Sequence, residues 1–280
     1  MLPNWTVCAI QFDTKYQDPE ENTRRMEEKI RAAVREKPDL IVLPELWTSG
    51  YSVEIFHDIQ KFAQPETGPA VSMLKRMAKE YGVYIVGGSM VEQRGNKCYN
   101  TCFLVDRQGN VAGRYSKMHL YNAMDEDVAF APGDEMPVFQ TDFGKIAIMT
   151  CYDIRFVEQS RAYALKGAQA IIVVSNWAKP KLNHWRVMLQ ARAIENQLAV
   201  VACNRVGQAV DCVYFGHSMI IDSWGEIVGE GGEEEEILTG VIEGEKLRTV
   251  RQTIPMYKDR QTQYYEDVLL KPYDGEVNHV

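Results

Sequence analysis

The chain has 280 residues and carries 39 acidic against 31 basic side chains, which gives a formal net charge of −8. This charge argues against nucleic acid or an anionic membrane surface as the natural partner, although a basic pocket for a small anion is compatible with it. Hydrophobic residues make up 45% of the chain, which is enough for a sizeable core. The N-terminus lacks a signal-peptide pattern and no apolar run approaches a membrane span, so we expect a cytoplasmic protein.

The cysteine pattern indicates reduced thiols. The six cysteines include no C-x-x-C pair, and several stand inside apolar, strand-like runs. Such a pattern is typical of reduced thiols in the cytoplasm rather than of a disulfide framework. The five histidines show no metal-ligand spacing with the cysteines, so we expect no metal site.

The start of the chain alternates strand and helix patterns. Residues 6–12 form an alternating apolar run that predicts a first strand. Residues 20–35 carry apolar side chains at helical spacing, which predicts an amphipathic helix. A buried strand is predicted at 39–44, and Glu45 stands directly beyond it. This order of elements indicates an α/β fold.

The same alternation continues through the middle of the chain. The predicted elements are a helix over 69–81, a strand over 83–89 and a hairpin of strands 97–105 and 111–115. Lys117 follows this hairpin. Residues 122–134 are polar and acidic, which predicts a loop.

In the second half, the apolar run 144–150 predicts a buried strand that ends at Cys151, at a strand-to-helix turn. The elements predicted after it are a helix over 156–166, a strand over 170–175, a loop over 176–181, a helix over 182–196, and strands over 198–204, 216–222 and 237–242. The acidic segment 230–236 is predicted to be a solvent-exposed loop. We predict a single domain over residues 1–280, with a C-terminal extension from about residue 254.

Three candidate reactive groups follow strand-like segments, namely Glu45, Lys117 and Cys151. In an open α/β sheet, binding sites gather at the carboxyl ends of the strands. A nearby ammonium and backbone N–H groups would favour the thiolate of Cys151, and a carboxylate could move its proton. A buried cysteine usually only packs, so spacing alone leaves both interpretations open.

Three sequence blocks around these residues resemble the signature blocks of the nitrilase superfamily of carbon–nitrogen hydrolases. The blocks are Leu43-Pro-Glu-Leu-Trp-Thr-Ser-Gly-Tyr51, Arg114-Tyr-Ser-Lys-Met-His-Leu120 and Thr150-Cys-Tyr-Asp-Ile-Arg155. They occur in the family's order, and the resemblance covers the chain to about residue 253. It implies a four-layer αββα sandwich of the α/β class and assembly as a homodimer or a higher homo-oligomer.

Carried onto this sequence, the resemblance implies a role for each of five residues. Glu45 is expected to be the general base and acid, Lys117 to stabilise the tetrahedral intermediate, and Cys151 to be the nucleophile. The backbone N–H of Tyr152 is expected to complete the oxyanion hole. The family's second glutamate, which positions the lysine, is best matched by Glu126, with an exposed acidic loop as the alternative interpretation.

Three further residues are candidates for substrate contact. Asn176 and Trp177 end a strand next to the Cys151 turn and are expected to line the pocket, although Trp177 suits the core equally well. Arg155 lies four residues past Cys151 and is a candidate partner for a substrate carboxylate. An internal ion pair with an Asp or Glu is the alternative for Arg155.

Segments of the second half resemble the omega-amidase branch of the superfamily. These segments are Ser175-Asn-Trp-Ala, His184-Trp185, Ala191-Arg-Ala-Ile-Glu-Asn-Gln197 and Cys203-Asn-Arg-Val-Gly207. The branch hydrolyses the terminal amide of 2-oxoglutaramate and 2-oxosuccinamate. We therefore expect a small-molecule amide substrate, a thioester intermediate, and a 2-oxo diacid and ammonia as products. The thiol supplies the nucleophile and the oxyanion donors stabilise the negative charge of the intermediate, so no cofactor or metal is expected.

Other functions stay open at this point. The chain could be another hydrolase of the superfamily, such as an N-carbamoyl amidohydrolase or an aliphatic amidase, whereas a true nitrilase fits the branch less well. The products separate these enzymes, because a carbamoyl substrate also releases carbon dioxide. A non-catalytic binding protein on the same fold is the alternative class, and the intact Glu45, Lys117 and Cys151 argue against it.

Overall fold

Two six-stranded β-sheets pack face to face in this computed structural model, which describes residues 3–210 and 212–265. In chain order the strands are β1 (Trp5–Gln11), β2 (Leu40–Val42), β3 (Tyr84–Arg94), β4 (Lys97–Val105), β5 (Val111–Ser116), β6 (Val138–Thr141), β7 (Gly144–Thr150), β8 (Ala170–Ser175), β9 (Ala199–Asn204), β10 (Val206–Gln208), β11 (Val213–Phe215), β12 (Met219–Ile221), β13 (Ile227–Glu230) and β14 (Glu236–Ile242). The α-helices are α1 (Pro19–Ala33), α2 (Val53–His57), α3 (Pro69–Tyr81), α4 (Glu126–Ala129), α5 (Val157–Leu165), α6 (Leu182–Asn196) and α7 (Gly244–Thr253). Short 3-10 turns cover Val34–Glu36, Ile59–Phe62, Asn122–Met124, Cys151–Arg155 and Thr262–Tyr264.

The strand order places parallel strands at the centre of each sheet. Sheet one has the order β14-β1-β2-β3-β4-β5, and sheet two has the order β13-β12-β9-β8-β7-β6. Strands β1, β2 and β3 run parallel to one another, as do β7, β8 and β9. The carboxyl ends of parallel strands share one edge of a sheet, which is where ligand sites form in α/β folds.

The side-chain alternation of β7 shows how the layers arise. Ile146 and Ile148 point into the cluster between the two sheets, whereas Ala147 and Met149 point into the cluster on the opposite face of sheet two. Successive side chains of a strand face opposite sides, so a strand that is apolar at every position must be covered on both faces. The continuous apolar run of β7 therefore requires a second sheet on one face and helices on the other.

Helices cover the two outer faces. On sheet one, Met26 of α1 and Leu74 of α3 pack on the outer side chains of the strands. On sheet two, Tyr163 of α5 and Leu189 of α6 do the same. The layers are therefore helix, sheet, sheet and helix, which confirms the predicted four-layer αββα sandwich.

Several short elements were not predicted from the sequence. The four-residue strand β6 was not predicted and pairs with β7 as the antiparallel edge of sheet two. The ribbon of β10 and β11 and the strand β13 were not predicted either. The loop predicted over 122–134 contains the short helix α4. Elements of three or four residues carry too few positions for a periodic pattern to be recognised.

The start of the predicted C-terminal extension packs on the same chain. Gln197 donates its side-chain amide to the Ile254 carbonyl at 2.8 Å, and the Tyr257 hydroxyl donates to the Asn196 carbonyl. The remainder of the extension, residues 266–280, lies outside the described residues. Within the ranges that the structure describes, every helix is too short or too polar to cross a lipid bilayer.

Candidate active site

Four segments bring polar side chains together where strands of the two sheets end. Glu45 follows β2, Lys117 follows β5, Cys151 follows β7 and Asn176 follows β8. Glu45 lies within hydrogen-bonding distance of both Lys117 and Asn176, and the Cys151 thiol is within electrostatic reach of Glu45 and Lys117. The two sheets thus contribute to one site.

Lys117 lies between two carboxylates. Its Nζ is 3.1 Å from Oε1 of Glu45 and 2.6 Å from Oε1 of Glu126, and all three side chains are fully buried. The Lys117 carbonyl accepts a hydrogen bond from the Gly133 N–H at 2.8 Å. A Cβ atom on Gly133 would come within 2.1 Å of a backbone oxygen, so only glycine allows this close approach. Burial acts to lower the pKa of Lys117, but the two carboxylates outweigh it and raise that pKa, so the side chain stays an ammonium.

The carboxylate of Glu45 is held on both oxygens. Oε1 accepts from the side-chain amide of Asn100 at 2.9 Å in addition to Lys117, and Oε2 accepts from the backbone N–H of Asn176 at 2.8 Å. The Asn176 side chain returns a hydrogen bond to the Glu45 carbonyl at 3.0 Å. Burial raises the pKa of Glu45 despite the attraction of the lysine ammonium. A carboxylate in this position is a stronger base than an exposed one.

Cys151 is held at a sharp backbone turn. Its φ of +46° is unusual for a residue other than glycine, and it opens the 3-10 turn that follows β7. Asp153 anchors this turn, because its Oδ2 accepts from the Thr150 N–H at 2.8 Å and from the Tyr115 hydroxyl at 2.6 Å. Its Oδ1 accepts from the His119 N–H at 3.0 Å. Asp153 therefore ties the cysteine turn to the segment that carries the lysine.

The surroundings of Cys151 favour its protonated thiol over the thiolate. Burial and the nearby Glu45 carboxylate raise its pKa to about 12, although Lys117 and the Ser175 hydroxyl act to lower it. Lys117 favours the thiolate as expected from the sequence, but burial and Glu45 outweigh it, so the net shift of the pKa is upward. A protonated thiol next to a buried carboxylate needs that carboxylate as a proton acceptor before it can attack a carbon atom.

Glu126 opens the short helix α4 and is the acidic residue of its loop that contacts the lysine. Its Oε1 accepts from the Tyr51 hydroxyl at 2.5 Å, and its Oε2 accepts from the Tyr121 N–H at 2.9 Å. The flanking Asp125 is partly exposed beside His57. The alternative interpretation of an exposed acidic loop therefore does not hold for Glu126, which is fully buried.

A pocket opens above the cysteine, lined by both aromatic and polar side chains. The predicted site residues Cys151, Tyr152, Arg155, Asn176 and Trp177 all line it. Trp177 also packs in the core behind sheet two, so both expectations for it hold.

Arg155 has no internal ion pair within the described residues. Its guanidinium lies 4.7 Å from the Trp177 ring centroid and 5.9 Å from that of Tyr152, with a long contact of 4.0 Å to the Met188 sulfur. No carboxylate of residues 3–210 or 212–265 lies within 4.0 Å of it. The alternative of an ion pair with an Asp or Glu is therefore not found in that part of the chain.

Sequence reasoning missed several residues of the site. Asn100 stands inside a predicted hairpin strand, where no pattern sets it apart, and Tyr214 lies on the unpredicted β11. Lys181 lines the pocket from the end of a predicted loop. Tyr51 is the exception, since it closes the first signature block and could have been found there.

The comparisons with known proteins decide the family. The model of the carbon-nitrogen hydrolase family matches residues 6–252. The chain belongs to the carbon–nitrogen hydrolase family. This carbon–nitrogen hydrolase is 39% identical to a 2-oxoglutaramate amidase of Bacillus subtilis, over 93% of the chain and 99% of that protein.

Two further relatives agree with this assignment. An omega-amidase of Xenopus tropicalis is 31% identical, over 88% of this carbon–nitrogen hydrolase and 91% of its own length. The crystal structure of Nit3 from Saccharomyces cerevisiae, described as a member of branch 10 of the nitrilase superfamily, superimposes with a TM-score of 0.85 at 29% identity. That match covers 93% of this chain and 97% of Nit3. The predicted nitrilase-superfamily membership and the resemblance to the omega-amidase branch are confirmed.

Replacing Lys117 with methionine should destabilise the protein by about 3–5 kcal/mol at neutral pH, because Glu45 and Glu126 would stay buried without their cation. Urea denaturation of the two proteins measures the difference in free energy of unfolding. The control is Lys61→Met, which removes only an exposed ion pair with Asp58 and should change that free energy far less. A Lys117→Met protein as stable as the wild type would show that the lysine does not hold the cluster together.

Proposed function

We propose that this carbon–nitrogen hydrolase is an omega-amidase. It hydrolyses the terminal amide of a small 2-oxo acid, such as 2-oxoglutaramate or 2-oxosuccinamate, to the 2-oxo diacid and ammonia. The observation that carries the proposal is Arg155, which has no carboxylate partner among residues 3–210 and 212–265 and lines the same pocket as a cysteine flanked by Glu45 and Lys117. A pocket cation without a carboxylate partner among the described residues suits a substrate that brings its own carboxylate. The 39% identity to a 2-oxoglutaramate amidase supports the same substrate class.

In the first step Glu45 acts as the general base. Its carboxylate takes the thiol proton of Cys151 while the sulfur attacks the amide carbon, forming a C–S bond and a tetrahedral oxyanion. The raised pKa of Glu45 brings it closer to that of the thiol and eases the transfer. Asn100 and Asn176 hold the carboxylate in place, so little reorganisation precedes the reaction.

The oxyanion is stabilised by two donors. Lys117 supplies a permanent ammonium, kept charged by Glu126 and Glu45, and Tyr152 supplies a backbone N–H. A preorganised donor of this kind typically contributes about 3–4 kcal/mol to transition-state stabilisation. Glu126 is a positioning residue, because it acts on the substrate only through the lysine.

The intermediate then breaks down in two stages. Glu45 returns the proton to the nitrogen, the C–N bond breaks, and ammonia leaves a thioester on Cys151. A water molecule gives a proton to Glu45 and attacks the thioester carbon. The C–S bond breaks, the diacid is released, and the proton returns to the sulfur. Every step uses the thiol, the carboxylate and the oxyanion donors, without a cofactor or a metal.

The remaining pocket residues hold the substrate. Arg155 binds the carboxylate away from the scissile amide, and the face of Trp177 forms an apolar wall beside it. A reduced Cys151 is required throughout, so we propose that the protein works in the cytoplasm.

An ammonia-release assay tests the proposed activity. Wild-type protein should release ammonia from 2-oxoglutaramate with a far higher kcat/KM than from glutamine, N-carbamoyl-β-alanine or simple nitriles. Cys151→Ala should abolish turnover and keep the native circular dichroism spectrum, since it removes only the nucleophilic sulfur. The control Cys203→Ala changes a buried core cysteine and should remain active, with any loss traced to packing. Full activity of Cys151→Ala would rule out the cysteine mechanism, and a preference for the carbamoyl substrate would assign a different hydrolase.

We further propose that the protein is a homodimer. Val157 and Leu165 of α5 are exposed, and together with Met256 and Tyr265 they form the apolar part of a groove on the outer helical face. Charged side chains line the rest of this groove, namely Glu158, Arg161, Glu195 and Arg260. Exposed apolar surface of this kind marks interaction sites, and a second copy of the chain is the occupant that we propose.

Light scattering tests this assembly. The wild type should have about twice the chain mass of 32.0 kDa, and Leu165→Glu should shift the population towards single chains because it replaces an apolar contact of the groove with a buried charge. The Lys61→Met variant, altered on another exposed surface, should keep the wild-type mass. A wild-type mass of one chain at micromolar concentration would contradict the proposal.

A further inference from the structure

Lys181 lines the active-site pocket and has no ion pair within the described residues. It stands at the end of the loop between β8 and α6, and its side chain is half-buried. Its ammonium lies 5.6 Å from the centroid of the Tyr121 ring, another lining residue. The pocket therefore holds a second cation besides Arg155.

The backbone of Lys181 is fixed independently of its side chain. Its carbonyl accepts from the Trp177 indole N–H and from the Trp185 backbone N–H, both at 3.1 Å. The two tryptophan rings contact each other, with centroids 5.6 Å apart. The side chain makes none of these contacts, so its replacement should leave the loop and the start of α6 in place.

A neighbouring lysine on the same loop shows the contrast. Lys179 is exposed, and its ammonium lies 3.0 Å from a carboxylate oxygen of Glu233. The protein is acidic overall, with 39 carboxylate side chains against 31 basic ones. The ammonium of Lys181 is half-buried, lines a pocket and has no such partner in the described part of the chain, so it is a feature of the pocket rather than of the surface.

The charged side chains that line the pocket are all cations, whereas the carboxylates of Glu45 and Glu126 lie behind Cys151 and outside the lining. Among the described residues its lining includes the cations Arg155 and Lys181 and no aspartate or glutamate. Two like charges in one partly desolvated cavity repel each other, and a bound anion relieves that repulsion. A ligand ammonium would add to it.

We propose that Lys181 is a specificity-determining residue, which together with Arg155 admits small amides that carry a carboxylate and no ammonium. This inference rests on the proposed amidase function. The two cations distinguish 2-oxoglutaramate from glutamine. Glutamine has the same carbon chain and terminal amide but bears an ammonium at the carbon next to its carboxylate. The two pocket cations attract the carboxylate of both compounds and repel the ammonium of glutamine alone.

The test compares kcat/KM for three amides in the wild type, Lys181→Met, Lys181→Arg and Lys179→Met. The amides are 2-oxoglutaramate, L-glutamine and the uncharged butyramide. Lys181→Met should lower kcat/KM for 2-oxoglutaramate by about tenfold or more, because a charge-assisted contact to the carboxylate is lost. The value for butyramide should stay unchanged, and the preference for 2-oxoglutaramate over glutamine should narrow. Lys181→Arg should restore most of the loss, and Lys179→Met should match the wild type.

The outcomes separate this inference from the proposed function. Equal losses of Lys181→Met on 2-oxoglutaramate and butyramide, or no loss on either, would overturn the role of Lys181. A wild type that releases no ammonia from 2-oxoglutaramate would instead refute the omega-amidase proposal. In that case the readout is protection of Cys151 from iodoacetamide by 2-oxoglutarate. Weaker protection in Lys181→Met than in Lys179→Met would support the role, and equal protection or none would overturn it.

Discussion

A buried ammonium between two buried carboxylates is the interaction on which the rest of this structure depends. Lys117 contacts Glu45 at 3.1 Å and Glu126 at 2.6 Å, and none of the three side chains is exposed to solvent. Taking three charges out of water costs several kcal/mol for each ion unless partners and hydrogen bonds are placed well. Asn100, Tyr51 and the backbone N–H groups of other segments supply those hydrogen bonds.

The same cluster sets the chemistry of the cysteine. The cluster contains two carboxylates and one lysine, so its net charge is negative and disfavours a thiolate on Cys151. Burial raises the pKa of the thiol further. The sulfur therefore rests as a thiol and becomes a nucleophile only when Glu45 accepts its proton. In the proposed mechanism the thiolate forms as substrate is attacked, and the cluster reuses the same proton for the departing ammonia.

The local features of the site could be predicted from the sequence, because each belongs to one short segment. The apolar run of β7 and the turn at Cys151 are of this kind, as are the signature blocks around Glu45 and Lys117. Glu126 was placed by resemblance, and the structure brings it to the lysine.

The features that were missed depend on segments distant in sequence. The sign of the pKa shift of Cys151 depends on burial and on Glu45, which lies on the other sheet. Asn100 matters only because its side-chain amide donates a hydrogen bond to the distant Glu45 carboxylate. The proposed role of Lys181 depends on its position in a pocket whose described lining contains no carboxylate. No sequence pattern reveals that position.

The most direct test of the account is the thiolate absorbance of Cys151, measured as the ultraviolet difference between the wild type and Cys151→Ala across pH. The raised pKa of about 12 predicts no thiolate difference at neutral pH and a difference that develops only in strongly alkaline solution. Activity at neutral pH in the absence of that signal would agree with proton transfer to Glu45 during the reaction. A clear thiolate difference already at neutral pH would contradict the account, because Lys117 would then outweigh burial and the carboxylates.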